Sequence, residues 1–449
     1  MSDDDSKKAP PKKGKRFFEM AKMTASVAGN YTKSRVKSIF QSDEQGEASR
    51  AEAQRENGQR VAETLGNLKG AAMKIGQMAS VATDLLPAEL AEPLEELQKD
   101  APPMAYEVVA GQIESELGMA PEIAFAEFDR TPFASASIGQ VHRAVTDEGR
   151  DVVVKVQYPG VDESVASDLS QIKLALKLSG FVSKEKRSSF DKMFDEIEAR
   201  LHEELDYTNE AENVRLFRGM HAEDPKVIVP EVVGERSAQR VLTLTEETGD
   251  SLQTVQKEYT WEQKDTVGEN LFRMFGEQMY RHGAIHADPN PANYAFRPTG
   301  EIVLYDYGCI KKIGDGQFGA LVEVVRAGLD RDHERIEQAL LEMGARVASK
   351  PAPPDEFYDL CYDIFLEPVV SREMYDYGDA IIYERFRENM RTFVEYEAWF
   401  QPPPGNVYVD RTVVGVHNIL RKMESRVPCR AIMEQMLEDA AVRLAQMED

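Results

Sequence analysis

The sequence has few of the features of secreted and membrane-spanning proteins. Its 449 residues include three cysteines, Cys309, Cys361 and Cys429, which are too few and too scattered for a disulfide framework or a cysteine-based zinc site. No apolar run approaches the ~18 residues that a membrane-spanning helix needs, and the segment Met1–Asp5 does not resemble a signal or transit peptide. We therefore expect a cytoplasmic protein that folds in a reducing compartment.

Positive charge is scarce as well. The chain has 54 Lys and Arg against 79 Asp and Glu, a net charge of −25, and such a field repels phosphate backbones. We therefore expect no nucleic-acid partner. The length, at the usual ~100–200 residues per domain, allows two or three domains or one large enzyme fold.

The basic residues are concentrated at the start of the chain. Residues 1–40 carry ten Lys or Arg and four Asp or Glu, a local charge of +6. Residues 1–15 offer little to bury, so we expect the region 1–50 to be a basic, disordered leader. Between Phe17 and Phe40 apolar and basic residues mix, which leaves two interpretations open: an interfacial helix in peripheral contact with the inner face of a membrane, or a solvated tail.

Hydrophobic periodicity divides the rest of the chain into three regions. Residues 51–120 are predicted to form a helical extension, 121–250 a small antiparallel sheet with helices, and 251–449 a mainly helical region, so the fold class is α+β. The expected strands are Phe125–Arg130, Ile138–Val145, Val152–Gln157, Val227–Val233, Arg240–Thr245, Tyr294–Arg297 and Ile302–Tyr305. The expected helices include Val61–Ala79, Ala105–Leu117, Ile197–Leu216, 261–283 and one that begins at Asp315 as its N-cap.

A lysine interrupts one predicted strand. Lys155 stands in an otherwise apolar run, after a loop of small residues, Ala134 to Gln140, whose backbone N–H groups can approach phosphates. The same order of strand, loop, strand and lysine occurs in the small lobe of kinases. A strand lysine alone is more often an edge residue that points to water.

Two acidic motifs follow in the chain order of a phosphoryl-transfer enzyme. Asp288 precedes Asn293 by five positions, a spacing that in kinase-like enzymes lets the Asp face the nucleophile while the Asn holds Mg²⁺. Asp306-Tyr307-Gly308 ends an apolar strand and looks like a metal-binding DFG turn. Each motif alone also fits a helix cap, a turn or a strand exit, but their order and spacing together favour catalysis.

The lysine also needs an acidic partner to hold it toward phosphates. The predicted helix Ile197–Leu216 offers several, namely Glu203, Glu204, Asp206, Glu210 and Glu212. Asp206 and Glu210 lie about one turn apart and share a face. The residues alone do not decide which of them meets Lys155.

Several segments resemble the UbiB (AarF) family of atypical protein-kinase-like proteins, which are associated with ubiquinone biosynthesis. The matching segments are Lys74-Ile75-Gly76-Gln77 (the KxGQ motif), Phe133 to His142 (the Ala-rich nucleotide loop), Val154 to Gly160, and Glu204-Leu205-Asp206-Tyr207 (the ExD motif). The resemblance spans roughly residues 60–435 and implies a bilobal protein-kinase-like fold with an N-terminal helical extension.

The resemblance also implies a role for each motif. The implied site residues are Ala134, Ser135, Ala136, Ser137 and Lys155 for the phosphates of ATP or ADP, Glu210 as the partner of Lys155, Lys74 and Gln77 over the site near Glu204 and Asp206, Asp288 as the catalytic carboxylate, and Asn293 and Asp306 as Mg²⁺ ligands. A lipid or quinone-precursor ligand is implied as well.

Three departures limit the range of activities. Ser135 stands where the family usually has Ala, Asn290 stands where protein kinases put a Lys, and no Ala-Pro-Glu segment follows Asp306. Efficient peptide phosphorylation is therefore disfavoured. Two functions stay open: an ATP- and Mg²⁺-dependent kinase or ATPase that supports isoprenoid-quinone or related lipid metabolism, and a nucleotide-gated lipid- or protein-binding switch. The presence of Asp288 favours the first.

Overall fold

A computed structural model describes residues 104–136, 138–161, 205–401 and 406–448, short pieces between 169 and 198, and residues 22 and 26. The leader, the helix expected at Val61–Ala79, and the predicted site residues Lys74, Gln77, Ser137 and Glu204 lie outside the described residues. By its internal contacts the chain divides into two compact units: Met1–Glu212 with Val232–Glu246, and Asn213–Glu231 with Glu247–Asp449.

The strands are short, as expected for a small sheet accompanied by many helices. They are β1 (Glu127–Phe128), β2 (Ala134–Ala136), β3 (Gly139–Val145), β4 (Asp151–Gln157), β5 (Val227–Ile228), β6 (Val241–Thr245), β7 (Ala284–His286), β8 (Tyr294–Phe296), β9 (Ile302–Leu304), β10 (Ile310–Lys312), β11 (Tyr375–Asp376) and β12 (Arg426–Val427).

Helices make up most of the rest of the described chain. They are α1 (Tyr106–Leu117), α2 (Pro121–Ala124), α3 (Tyr207–Met220), α4 (Leu252–Glu258), α5 (Trp261–Gly276), α6 (Asp315–Asp330), α7 (His333–Met343), α8 (Asp355–Phe365), α9 (Glu367–Val370), α10 (Ile382–Glu388), α11 (Met390–Tyr396), α12 (Asn406–Met423) and α13 (Cys429–Glu448). A π-helical turn, Glu277–His282, continues α5. The predicted α+β class is confirmed.

An antiparallel sheet forms the centre of the first unit. Its strands follow the order β1-β3-β4-β6, and β2 pairs with the start of β3 while β1 pairs with its end. Gly149, with φ +76°, makes the turn between β3 and β4, as the sequence predicted. Helix α1 ends at Gly118, which takes φ +73° because a residue without a side chain enters the left-handed region at little cost.

The second unit combines a three-stranded sheet with helices. In the order β5-β9-β8, β5 runs parallel to β9 and β8 antiparallel to it. The two-stranded pairs β7–β10 and β11–β12 complete its sheet structure within the described residues. Its core includes Phe217, Leu271, Ile285, Phe296 and Leu304, none of them measurably exposed.

Three predicted elements have different bounds or partners. The expected strand Val227–Val233 is the two-residue β5, which pairs with β9 in the second unit, so residues 213–231 belong there and not with the small sheet. The expected strand Phe125–Arg130 is reduced to β1, because Pro121 begins a short helix, α2, just before it. Asp315 is the first residue of α6, and its cap is Gly314.

The helix expected at Ile197–Leu216 is also not continuous. Leu205 lies in a turn and Asp206 is outside any helix, so α3 begins at Tyr207. Two hydrogen bonds to neighbouring segments fix this break: the Gln157 side-chain amide donates to the Leu205 carbonyl at 2.8 Å, and the Tyr207 N–H donates to the Gln239 carbonyl at 3.1 Å.

Candidate functional site

Lys155 belongs to a central strand, not to an edge. Strand β4 pairs with β3 and β6, which place Val141 and Leu242 on either side of Lys155. Val152, Val154 and Val156 point into the core, and Lys155 lies on the opposite face because strand side chains alternate. The apolar run thus buries three valines and keeps the amine out of the core.

Glu210 is the partner of this lysine. Asp206 caps α3, since its Oδ1 accepts the Thr208 N–H at 3.0 Å. Glu210 lies one turn further on with a side chain that is 3% exposed, and Lys155 Nζ donates to its Oε1 and Oε2 at 2.8 and 2.9 Å. The amine also lies 5.0 Å from the ring centroid of Tyr207. Asp206 therefore has a capping role, and Glu210 forms the expected ion pair.

The Ala-rich segment, predicted as a hairpin loop, contributes the paired strands β2 and the start of β3. Strand β2 pairs with β3 so that Ala134 lies opposite Val141 and Ala136 opposite Gly139, with Ser135 opposite Gln140. A Cβ on Gly139 would lie 2.3 Å from the Val156 carbonyl oxygen, so only glycine permits this approach to β4. Small residues here serve close backbone packing; their contact with phosphates stays a prediction.

Two polar residues of the same motif are structural. Gln140 and His142 are fully buried and link three segments: the Met104 N–H donates to Gln140 Oε1 at 2.9 Å, Gln140 Nε2 donates to His142 Nε2 at 2.9 Å, and His142 Nδ1 donates to the Asp129 carbonyl at 2.7 Å. Burial lowers the pKa of His142, so the ring is neutral in this network. Every buried polar atom of the pair is thereby satisfied.

In the second unit, a single helical turn brings Asn293 back to Asp288. Strand β7 leads into this loop, and Asn290 caps the turn Pro291–Asn293 by accepting the Ala292 N–H at 3.1 Å. Asn293 Nδ2 then donates to Asp288 Oδ2 at 2.9 Å and to the Asp288 carbonyl at 3.2 Å. The five-residue spacing noted in the sequence is therefore a real contact.

The register of the β8–β9 pair brings Asp306 close to Asn293. In the β8–β9 pair Tyr294 lies opposite Leu304, and the Tyr305 N–H donates to the Asn293 carbonyl at 3.0 Å. Asp306 follows directly, and its Oδ1 accepts the Gly308 N–H at 2.8 Å. Asn293 and Asp306, which the sequence separates by a strand hairpin, are thus neighbours at one end of it.

His286 and Asn213 hold this turn. The His286 Nε2–H donates to the Asp306 carbonyl, and Nδ1 accepts from the Tyr294 hydroxyl at 3.4 Å. Asn213 on α3 donates to the Tyr307 carbonyl at 3.0 Å, while the Tyr307 ring is fully buried. The sequence reasoning gave Asn213 no role; a polar residue on a helix flanked by the buried Val214 and Phe217 is the signal that could have found it.

The sequence reasoning also missed Arg411, on helix α12. Its Nη2 donates to Asp288 Oδ1 at 2.6 Å, and both side chains are partly exposed, at 40% for Arg411 and 24% for Asp288. Together with Asn293 on Oδ2, this contact engages both oxygens of the carboxylate. The partners are 123 residues apart in the chain, so no local pattern points from one to the other.

The tripeptide Asp-Tyr-Gly occurs a second time, at Asp376-Tyr377-Gly378. The Gly378 N–H donates to Asp376 Oδ1 at 2.8 Å, which is the local bond seen at Asp306, and Tyr377 is buried as Tyr307 is. Asp376, however, is exposed and lies opposite Arg426 in the β11–β12 pair. The two turns have the same sequence and local hydrogen bond, so the residues around them distinguish the predicted metal ligand Asp306 from Asp376.

The oxygens around Asp288 fit the hard cation that a kinase-like site implies. Mg²⁺ takes carboxylate and amide oxygens. The two bonds from the amide nitrogen of Asn293 to Asp288 fix the orientation of the amide, and its oxygen is the atom that could bind the ion. Asp306 adds a carboxylate whose orientation Gly308 fixes. Asn293 and Asp306 are therefore the residues that could hold the ion.

A separate cluster contains three potential metal ligands, but its histidine ring is hydrogen-bonded to a neighbouring side chain instead. Ligand atoms of His221, Asp224 and Glu277 lie within 4.8 Å of one another. Gln278 uses its Oε1 to accept the His286 N–H at 3.1 Å, so its Nε2 donates to His221 Nε2 at 3.3 Å. The proton of neutral His221 is then on Nδ1, which leaves this ring without a lone pair for a metal.

A small-sheet lysine paired with a helix glutamate, and an Asp-Asn loop beside an Asp-Tyr-Gly turn, place the chain in the protein-kinase-like class. The family model described as the ABC1 atypical kinase-like domain matches residues 96–340, more than half of the chain. The chain belongs to this family, whose COQ8-type members form the UbiB group that the motifs resemble. The predicted kinase-like fold is thus confirmed.

Named relatives support this membership. The atypical kinase COQ8B, mitochondrial, of Rattus norvegicus is 28% identical over 84% of this chain and 71% of its own length. The atypical kinase COQ8, mitochondrial, of Saccharomyces cerevisiae is 28% identical over 84% of this chain and 75% of its own length. The match covers less of other relatives: 65% of an uncharacterized Synechocystis protein and 51% of the atypical kinase coq-8 of Caenorhabditis elegans.

A solved structure agrees with the fold. The complex of Rv3197 with erythromycin, from Mycobacterium tuberculosis, superposes with a TM-score of 0.60 at 28% identity and covers 84% of this chain and 94% of that one. Within the described part of the chain, no helix has both the length and the apolar character to cross a bilayer.

Proposed function

We propose that this protein is an ATP- and Mg²⁺-dependent atypical kinase or ATPase of the UbiB type, and that it supports isoprenoid-quinone or related lipid metabolism. One observation carries the proposal: the loop that joins Asp288 to Asn293 lies beside the turn of Asp306, so that a base and two oxygen ligands come from adjacent segments of the second unit. The COQ8 names of the relatives support the metabolic assignment.

Each residue has a role in this proposal. Lys155, oriented by Glu210, binds the α- and β-phosphates, and Asn293 and Asp306 hold Mg²⁺, which neutralises the charge of the transferring phosphoryl group when it is bound. Asp288 accepts the proton of the attacking hydroxyl or water. Little covalent chemistry is asked of the protein, since phosphoryl transfer depends mainly on positioning and electrostatic stabilisation.

Residues outside the described chain enter the proposal through the family motifs. Lys74 and Gln77 of the KxGQ segment would limit access to the nucleotide. Asn290 in place of the protein-kinase lysine, and the lack of an Ala-Pro-Glu segment after Asp306, disfavour a peptide substrate and favour water or a small lipid precursor as acceptor. Replacement of Lys74 by alanine should then alter nucleotide selectivity or turnover; an unchanged profile would remove Lys74 from the site.

A second candidate is a nucleotide-gated switch with little turnover. The ion pair between Arg411 and Asp288 favours it, because one oxygen of the proposed base is already engaged. Asp288 would then serve to respond to nucleotide and not to accept a proton. The two candidates differ in whether bound ATP is hydrolysed or transferred.

Phosphate release from Mg-ATP separates the candidates. We expect the purified protein to release phosphate, and Asp306→Asn to abolish the release because a charged metal ligand is lost. Asp376→Asn is the matched control, since it changes the same tripeptide with the same local hydrogen bond. It should release phosphate at the wild-type rate.

The outcomes are distinct. Equal release by wild type and Asp306→Asn would overturn the proposed site. Tight Mg-ATP binding by the wild type without formation of ADP, in the presence of water and of prenylated phenol acceptors, would establish the switch instead.

The basic leader gives the proposal a membrane component. Residues 1–40 carry +6, and each basic residue near an anionic surface contributes up to ~1 kcal/mol of binding free energy. Removal of these residues should reduce co-sedimentation with vesicles that contain anionic lipid, and neutral vesicles should show no difference. Equal sedimentation of both forms with anionic vesicles would leave the leader as a solvated tail.

A further inference from the structure

The catalytic loop provides no positive charge of its own. The position two residues after Asp288, where protein kinases put a lysine, is Asn290, and its side chain is used to cap the turn that follows. Phosphoryl transfer gains much of its rate from a cation beside the transferring group, so the proposed reaction lacks one element if only the loop is considered.

Helix α12 places the guanidinium group of Arg411 next to Asp288. Arg411 Nη2 is 2.6 Å from Asp288 Oδ1. Arginine presents several N–H donors in a planar fork that matches phosphate oxygens, which a single amine does not. Since both side chains are partly exposed, solvent weakens their ion pair, and its exchange for a phosphate contact costs little.

The backbone of α12 is fitted to the loop. Gly415 lies one turn after Arg411 on the same face, and a Cβ there would be 2.1 Å from Pro289 Cγ and 2.4 Å from Pro289 Cβ. The helix can approach the loop this closely only because residue 415 is glycine. On its other side α12 is anchored by buried residues, Thr412, Val416, Ile419, Leu420 and Met423.

A second contact connects helix α12 to strand β10, which follows the turn of Asp306. The Lys311 amine lies 5.0 Å from the ring centroid of Tyr408, which precedes Arg411 by about one turn. Tyr408, Arg411 and Gly415 thus form one stripe of α12 that follows the loop and strand β10. Contacts along this stripe set the position of Arg411 at Asp288.

We propose that Arg411 is the cationic catalytic residue that the loop lacks, and that it alternates between Asp288 and the transferring phosphoryl group. This inference rests on the proposed function. When the terminal phosphate of ATP arrives, the guanidinium moves to its oxygens and releases Asp288 Oδ1. The bond from phosphorus to the acceptor oxygen forms, the bond to the β,γ-bridging oxygen breaks with its electron pair leaving on ADP, and Asp288 takes the acceptor proton. Arg411 remains protonated throughout.

Arg411→Ala tests the assignment, with Arg421→Ala as its control. Arg421 is on the same helix and is exposed, with its guanidinium 5.4 Å from the Tyr383 ring centroid. Arg411→Ala should lower kcat for phosphate release by about 1,000-fold, the lower end of the effect known for arginine fingers, and raise KM for Mg-ATP by up to about tenfold because the guanidinium also contacts the terminal phosphate of bound ATP. Arg421→Ala should keep the wild-type kcat, and Arg411→Lys should recover part of the loss.

Gly415→Ala provides a second test that leaves the charge in place. It should displace α12 from Pro289 and lower kcat in the same direction, whereas Gly219→Ala, at an exposed helix position with no atom within 4 Å of the new Cβ, should not. An increase in kcat for Arg411→Ala would show that the ion pair only restrains Asp288 and would overturn the proposal, as would an unchanged kcat.

A binding measurement distinguishes failure of this inference from failure of the proposed function. If the wild type forms no ADP from Mg-ATP, with or without an added acceptor, the proposed function fails, and titration with Mg-ATP and Mg-ADP still tests Arg411. We expect the preference for ATP over ADP to fall about tenfold in Arg411→Ala, because the lost contact is to the terminal phosphate. The same preference in both proteins would overturn the role of Arg411.

Discussion

The Lys155 ammonium group donates to both carboxylate oxygens of Glu210, at 2.8 and 2.9 Å, and the glutamate side chain is almost fully buried. A buried carboxylate with one cationic partner is strongly dependent on that partner. The pair therefore fixes the position of the amine and links strand β4 to helix α3 within the first unit.

Glu210→Gln should weaken both nucleotide binding and folding. The substitution removes the negative charge that Lys155 Nζ contacts at 2.8 and 2.9 Å, and loss of one partner of a buried pair costs about 3–5 kcal/mol of unfolding free energy. Affinity for Mg-ATP should fall at least about tenfold. The matched control is Glu212→Gln, an exposed residue of the same helix. Equal losses in both variants, measured by urea unfolding and nucleotide titration, would contradict a specific role for the pair.

Gly139→Ala should destabilise the small sheet. The new Cβ would lie 2.3 Å from a carbonyl oxygen of β4, so the backbone must shift, and overpacking of this kind costs about 1–3 kcal/mol. Gly111→Ala, at an exposed position of α1 where no atom lies within 4 Å, should instead raise stability by up to ~1 kcal/mol because alanine favours the helix. Thermal unfolding of the two variants checks the opposite signs.

Stability should decrease as the pH falls from about 6.5 to 4. Burial lowers the pKa of His221 to about 4 and that of His417 to about 4, each from an ordinary value of 6.5. Between these values the unfolded chain binds protons that the folded chain does not, so the free energy of unfolding rises with pH in this window. At about 1.4 kcal/mol per pKa unit, each histidine contributes about 3 kcal/mol.

His221→Gln tests the assignment of this pH dependence. Glutamine does not titrate, so the variant should lose the His221 contribution, up to about 3 kcal/mol, to the change in unfolding free energy between pH 7.5 and 4.5. The same pH dependence in wild type and variant, measured by urea unfolding, would place the responsible protons elsewhere.

The sequence predicted the parts of the site that depend on local patterns. A short apolar run of β-branched residues placed Lys155 on strand β4, and the spacing of Asp288 and Asn293 predicted a contact that a single helical turn forms. Such features involve residues close in the chain, where periodicity and turn chemistry determine geometry. The roles of these residues toward nucleotide and metal stay predictions.

Features that depend on distant contacts were missed. Arg411 contacts Asp288, which is 123 residues away in the chain. The need for glycine at position 415 arises only from its contact with Pro289. The apolar segment at Val227 was predicted to extend the small sheet, but Val227 lies opposite Ile302 of β9 in the second unit. Two Asp-Tyr-Gly turns with the same local bond differ only in their neighbours. No window of sequence contains this information.

The Mg²⁺ dependence of ATP affinity tests the central claim most directly. Titration calorimetry with and without Mg²⁺ should be carried out on the wild type, Asp306→Asn and Asp376→Asn. If Asn293 and Asp306 hold the ion, Mg²⁺ raises the affinity of the wild type and of Asp376→Asn at least about tenfold and that of Asp306→Asn by much less. An equal response to Mg²⁺ in all three proteins would contradict the account.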